Sequence, residues 1–178
     1  MSRILERDRT ALVVVDVQEG FREAVGEFEA VAHNAGLLVQ GARILGVPVL
    51  VTEQYPRGLG ETVPEVAEHL DGVPRLEKVE FDATEVEGFD LGGRDQALLC
   101  GIEAHVCVAQ TAAGLLYRDI DVQVATDAVS SRTAANRRAG LAKMEASGAM
   151  LTSTEMALFE LLGRAGTPEF KEVQALVK

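Results

Sequence analysis

The chain has 178 residues, of which 47% are apolar, with a formal net charge of −11 and only two cysteines. That length suits a single domain over residues 1–178, which buries roughly 70% of its unfolded surface and needs neither metal nor disulfide to hold together. An acidic surface repels phosphate backbones and anionic headgroups, so nucleic acid and membrane are excluded as expected partners.

Residues 1–9 are charged and lack an apolar signal core. No stretch reaches the roughly 20 apolar residues of a membrane helix, and Cys100 and Cys107 are too few and too close for a secreted disulfide framework. A cytoplasmic protein is expected.

Ala11-Leu12-Val13-Val14-Val15 is a continuous apolar run that stops at Asp16, the pattern of a strand buried on both faces. Phe28, Val31, Ala35, Leu38, Ala42 and Leu45 then form one helical stripe, and Gly46 follows as a C-terminal stop. Residues 47–51 read as the second strand, left by a loop over 52–60. A short helix is predicted within 63–70 and a third strand over 75–79. Residues 97–100 read as the fourth strand, running through Gly101 into a helix over 105–118, and 122–125 as the fifth. The helix over 133–147 carries a small stripe, Ala135, Ala139, Ala142 and Ala146, which predicts close packing on the sheet. A sixth strand is predicted over 149–151. Thr152-Ser153-Thr154-Glu155 has capping-box spacing and opens a helix ending near Gly163. Thr167-Pro168 opens the last helix, with proline where its missing N–H costs nothing. The apolar face of that helix, Phe170, Val173, Leu176 and Val177, is free to dock on its own domain or on a neighbour.

Strand alternating with helix predicts an α/β fold, a parallel sheet covered on both faces. Ligands of such sheets bind beyond the carboxyl ends of the strands, where the strand order reverses. Three chemically capable residues stand there: Asp16, Lys78 and Cys107. Singly, each has a plain structural reading as a turn former, a solvated lysine and a core filler. Together they suit nucleophilic catalysis. A cysteine at a helix N-terminus feels the positive end of the dipole, an ammonium stabilises its thiolate, and a carboxylate takes and returns the proton. The lysine and dipole are expected to outweigh the carboxylate and lower the thiol pKa, with Asp16 and Cys107 titrating as a coupled unit. Cys100, inside its strand, is expected to be buried and inert.

The segments Thr10-Ala-Leu-Val-Val-Val-Asp16-Val-Gln18, Lys78-Val-Glu-Phe81 and Gly101-Ile-Glu-Ala-His-Val-Cys107-Val resemble the three signatures of the isochorismatase-like cysteine hydrolases. Thr126-Asp-Ala-Val-Ser-Ser-Arg132 is similar to a further family segment, so the likeness runs from Thr10 to Phe159. The run Val51-Thr-Glu-Gln-Tyr-Pro-Arg-Gly-Leu-Gly60 resembles the isochorismatase domain-containing subgroup. The resemblance implies a three-layer α/β/α Rossmann-like fold with a six-stranded parallel sheet in the order 3-2-1-4-5-6. It makes Asp16 the general base and acid, Lys78 the cationic partner and Cys107 the nucleophile. It also implies a cis peptide between Ile102 and Glu103, aiming the N–H groups of Glu103 and Cys107 at a developing oxyanion. Gln18, Phe21, Gln54, Tyr55 and Phe81 are candidates for the substrate pocket, with Phe21 and Phe81 equally suited to the core. Asp127 and Arg132 are expected to brace the loop after the fifth strand.

The chain departs from two branches of that family. Nicotinamide-hydrolysing members carry an Asp-x-His motif and a further histidine for a metal, whereas His33, His69 and His105 are the histidines here and none stands in the loop over 52–60. No metal or other cofactor is expected. Isochorismatases cleave a vinyl ether through the aspartate and need no cysteine nucleophile, so Cys107 argues against that reaction. The expectation is a hydrolase of a small amide-like substrate working through a thioester acyl-enzyme, in a homo-oligomer (dimer or tetramer). The alternatives are isochorismatase-type hydrolysis by Asp16 and a non-catalytic scaffold that keeps the fold.

Overall fold

A computed structural model describes residues 4–178. The apolar run after Arg9 forms β1 (Thr10–Val15), with every residue buried. It lies in the middle of one sheet with β2 (Val49–Gln54), β3 (Arg75–Lys78), β4 (Gln96–Ile102), β5 (Asp121–Ser130) and β6 (Met150–Thr152). All pairings are parallel and the order is β3-β2-β1-β4-β5-β6, as the resemblance implied.

Because side chains alternate along a strand, β1 feeds two cores. Leu12 and Val14 face the helices α1 (Phe28–Leu45), α6 (Thr154–Leu162) and α7 (Pro168–Leu176). Ala11, Val13 and Val15 face α4 (Cys107–Tyr117) and α5 (Ala134–Ala146). The predicted stripe of α1 is buried at all six positions, and Gly46 ends the helix in the left-handed conformation. Val173 of α7 packs within the first core, so that helix docks on its own domain. Two short helices, α2 (Pro56–Leu59) and α3 (Pro64–Ala67), fill the β2–β3 connection. No helix among the described residues is long and apolar enough to cross a membrane.

Three expectations need correction. The alanine stripe of α5 faces outward: Ala135, Ala139, Ala142 and Ala146 are exposed, while Gly140 and Met144 are buried. The close approach is made by Gly140, where a Cβ would stand 2.6 Å from Ala104 O. The cap of α6 is Ser153, accepting from Met156 N, because Thr154 N and Oγ1 are claimed by the Asp127 carboxylate. And β5 continues past Ala125 to Ser130, so Asp127 lies in the strand and not in a loop after it. Its pairing with β4 shifts register between Leu99 and Gly101, then resumes at Val129 and Ser130.

That shift concentrates demand on one residue. Gly101 pairs with Val15 and has φ +122, and a Cβ there would lie 1.9 Å from Val15 O. Only glycine lets β4 press against β1 at the point where β1 leads into Asp16 and β4 into the turn before Cys107. Gly101→Ala is expected to cost about 2–5 kcal/mol from backbone strain and overpacking together. Urea unfolding measures this, and an unchanged midpoint would contradict the close-approach argument.

Candidate active site

Asp16 follows β1 directly and takes the left-handed conformation (φ 51), which swings the chain out of the sheet. Its carboxylate is fully enclosed. Oδ1 accepts from Thr52 Oγ1 at 2.7 Å and Oδ2 from Lys78 Nζ at 2.8 Å. Lys78, the last residue of β3, is equally enclosed, with no side-chain exposure on either partner of the pair. Its Nζ also donates to Gln54 Oε1 at 2.5 Å and Glu80 O at 3.2 Å. An ammonium has three protons, and a buried one is tolerable only with each satisfied. Here there are three acceptors for three donors.

Cys107 is the first residue of α4 and is 5% exposed. Its Sγ lies 3.9 Å from Gln54 Oε1 and within the direct influence of both Asp16 and Lys78. The three residues picked out at the carboxyl edge are therefore brought together. The surroundings of the sulfur work against the expected lowering of the thiol pKa. Burial first, and the charge of Asp16 second, push the Cys107 thiol up to about 12, with Lys78 opposing them. The reason is geometric: Lys78 is already neutralised by Asp16 at 2.8 Å, so the pair offers the sulfur little net positive field. Cys100 is fully buried, and burial raises its thiol further still.

The turn before α4 contains a cis peptide between Ile102 and Glu103. It is tied to the end of β5 and the residues after it. Ala104 N donates to Ser130 O at 2.8 Å, His105 Nδ1 lies 3.0 Å from Ser131 Oγ, and the Glu103 carboxylate accepts from Arg132 N and Nε, both at 2.9 Å. Arg132 thus braces the turn before Cys107. The backbone N–H groups of Glu103 and Cys107 donate to no acceptor among the described residues.

The pocket candidates divide. Gln18 is fully buried, donating from Nε2 to Gln54 O and Gly60 O and accepting from Gln54 N. It holds the β2–α2 loop from beneath. Phe21 is half-buried against the first core. Phe81 is 50% exposed, and Tyr55, 56% exposed, stands with Val79 on the rim. A cleft of about 360 Å³ lies there, lined by Tyr55, Arg57, Lys78 and Glu80 among others. A larger one, about 620 Å³, opens at the amino ends of β4, β5 and β6, away from Cys107. Sequence reasoning missed Thr52 and the inward role of Gln54. Register alone reveals them: Thr52 pairs with Val15 and Gln54 with Lys78. No group of three or more potential metal ligands occurs among the described residues.

A doubly wound parallel sheet with a buried thiol, carboxylate and ammonium gathered at its switch point defines a Rossmann-like α/β hydrolase. The Isochorismatase domain model matches residues 10–156, and the chain belongs to that family of isochorismatase-like hydrolases. Isochorismatase domain-containing protein 2 of Homo sapiens is 41% identical over 172 residues, covering 95% of this chain and 83% of the relative. The secreted isochorismatase effector Isc1 of Phytophthora sojae is 43% identical over 177 residues, covering 95% and 84%. Among solved structures, the MAR1 ribonuclease of Caenorhabditis elegans superposes with a TM-score of 0.92 at 39% identity, covering 98% of this chain and 92% of that one. YcaC of Pseudomonas aeruginosa, with hexane-2,5-diol and covalent acrylamide, gives 0.88 at 26% identity, covering 99% and 92%.

The raised thiol pKa has a direct readout. Iodoacetamide labelling of Cys107, followed by peptide mass spectrometry, is expected to be slow at neutral pH. It should rise about tenfold per pH unit as the thiolate fraction grows below the pKa. Asp16→Asn removes a charge that raises the pKa and should accelerate labelling at every pH. A rate that levels off between about pH 7 and about pH 9 would show a thiolate already formed and contradict this reading.

Proposed function

We propose that the protein is a cysteine hydrolase that cleaves a small, C–N bonded, amide-like substrate through a thioester acyl-enzyme. One observation carries this: Cys107 opens α4 beside the buried Asp16–Lys78 pair, next to two backbone N–H groups that no acceptor among the described residues uses. Burial and the charge of Asp16 push the thiol up, so it rests protonated near pH 7. A base must therefore take the proton as the sulfur attacks, and Asp16 is the carboxylate in reach.

In the proposed cycle Asp16 accepts the thiol proton while Sγ bonds to the carbonyl carbon. The N–H groups of Glu103 and Cys107 hold the resulting oxyanion. Collapse expels the amine, which takes the proton from Asp16 and leaves a thioester on Cys107. Water then gives a proton to Asp16 as its oxygen attacks the thioester, and the carboxylic acid product departs as that proton returns to sulfur. Lys78 stays paired with the Asp16 carboxylate at 2.8 Å and balances its charge. Tyr55 and Val79, on the rim, favour a small substrate with an apolar portion. The covalent acrylamide on the Pseudomonas YcaC is in keeping with a nucleophile in this fold.

A second reading is favoured by the name of the Phytophthora relative: isochorismatase-type vinyl ether hydrolysis through Asp16 alone. A ribonuclease activity, as named for the nematode relative, fits poorly with a net charge of −11. We also infer a cytoplasmic homo-oligomer, supported by two free cysteines and by the exposed alanine face of α5.

A hydrolysis screen over small amides, ureides and carbamates, with isochorismate and single-stranded RNA as further arms, tests the proposal. Cys107→Ala is expected to lose at least about 10³-fold of any amide activity, comparable to removing a nucleophile elsewhere. Intact mass spectrometry should trap an acyl adduct on the wild type. Full activity of Cys107→Ala on isochorismate would select the second reading.

A further inference from the structure

Gln54 is held through both its backbone and its side chain. Its backbone N–H donates to Gln18 Oε1 at 2.7 Å, and its Nε2 donates to Val79 O at 2.9 Å. These leave Oε1 facing inward, 2.5 Å from Lys78 Nζ and 3.9 Å from Cys107 Sγ. The amide orientation is determined by its partners. Reversed, its oxygen would face a carbonyl and its NH₂ would face an ammonium. Gln54 therefore presents the site with an acceptor that carries no charge.

We propose that Gln54 is a positioning residue of the Cys107 site, a fixed neutral acceptor that holds Lys78 against Asp16 and receives a hydrogen bond from the resting thiol. The proposal rests on the reading of Cys107 as the nucleophile. The charged groups that bear on the thiol are Asp16, from the end of β1, and Lys78, from the end of β3. Gln54, at the end of β2, stands between them. A carboxylate at position 54 would compete with Asp16 for Lys78 and place a second negative charge beside the sulfur. An apolar side chain would leave Lys78 one acceptor short, and its freed N–H would turn to the thiol and stabilise the thiolate. Only a neutral acceptor keeps the resting site as a protonated thiol next to an intact ion pair. Proton transfer then starts with a rotation about Cβ–Sγ that carries the S–H from Gln54 to Asp16.

The test is the pH profile of Cys107 alkylation by iodoacetamide in the full chain, with Cys100 as the slow internal reference. Gln54→Met is expected to label about tenfold faster than wild type at a given pH, and Gln54→Glu about tenfold slower, each a displacement of about one pH unit. The opposite signs are the signature. Loss of a merely structural contact opens the site and speeds labelling in both variants. Two profiles that coincide with wild type, or two that both move faster, overturn the proposal. If Gln54→Met shows no cooperative thermal transition, Gln54→Glu decides alone: slower labelling supports the proposal, and unchanged or faster labelling overturns it. The measurement reads thiol titration without substrate, whereas the nucleophile reading is decided by turnover of Cys107→Ala, so either can fail while the other stands.

Discussion

The ion pair between Asp16 and Lys78 is the constraint around which this site is organised. Both side chains are wholly removed from solvent, 2.8 Å apart, at the ends of strands separated by β2. Removing either partner from such a pair typically costs about 3–5 kcal/mol, because the other is left as an uncompensated buried charge. Replacing both with apolar groups is often neutral or stabilising, so stability alone gives no reason to keep them. Their position beside the Cys107 thiol gives one. The pair also dictates its surroundings: Thr52 must satisfy Oδ1 of Asp16, and Gln54 and Glu80 must satisfy the remaining protons of Lys78. All of these lie at or beyond the carboxyl ends of β2 and β3, so the pair sets the chemistry of that whole edge.

The other half of the site comes from the far side of the switch point. β4 ends in Gly101 and Ile102, the chain turns through Glu103, and α4 begins at Cys107. This turn is clasped from β5 and the residues after it, by Ser130 O, by Ser131 Oγ and by Arg132, and from below by α5, which Gly140 allows to approach Ala104 O. The proposed oxyanion-binding N–H groups are thus held by neighbours on β5, the residues after it and α5. Rigidity here has a chemical use, since donors aimed in advance need no reorganisation as charge develops. The same enclosure that fixes the turn desolvates the thiol and raises its pKa.

Much of this was legible in the residues themselves. The apolar run before Asp16, the stripe of α1 and the alternation of strand with helix are local patterns, repeated at the period of the element that contains them. Cys107 at the head of a helix and Asp16 at the end of a strand follow from the same reading, and the resemblance supplied the strand order that makes them neighbours. The misreadings are of another kind. The alanines of α5 have helical spacing, but spacing does not say which face meets the sheet; Gly140 and Met144 decided that. Thr152 and Ser153 both begin a plausible cap, and a carboxylate from β5 settled the choice by claiming Thr154.

By itself, then, the amino-acid sequence determined the class of fold, the order of its elements and the three candidate residues at the carboxyl edge of the sheet, because periodicity, turn residues and motif spacing are properties of neighbours along the chain. Tertiary structure alone decided the state of the site. Whether Cys107 is a thiol or a thiolate depends on how deeply it is buried and on whether Lys78 is free or already paired. That Gln54 faces inward and Gln18 lies beneath it depends on strand register and on which carbonyls are within reach. Desolvation and the direction of a hydrogen bond are set by groups dozens of residues away in the chain, and no local pattern encodes them.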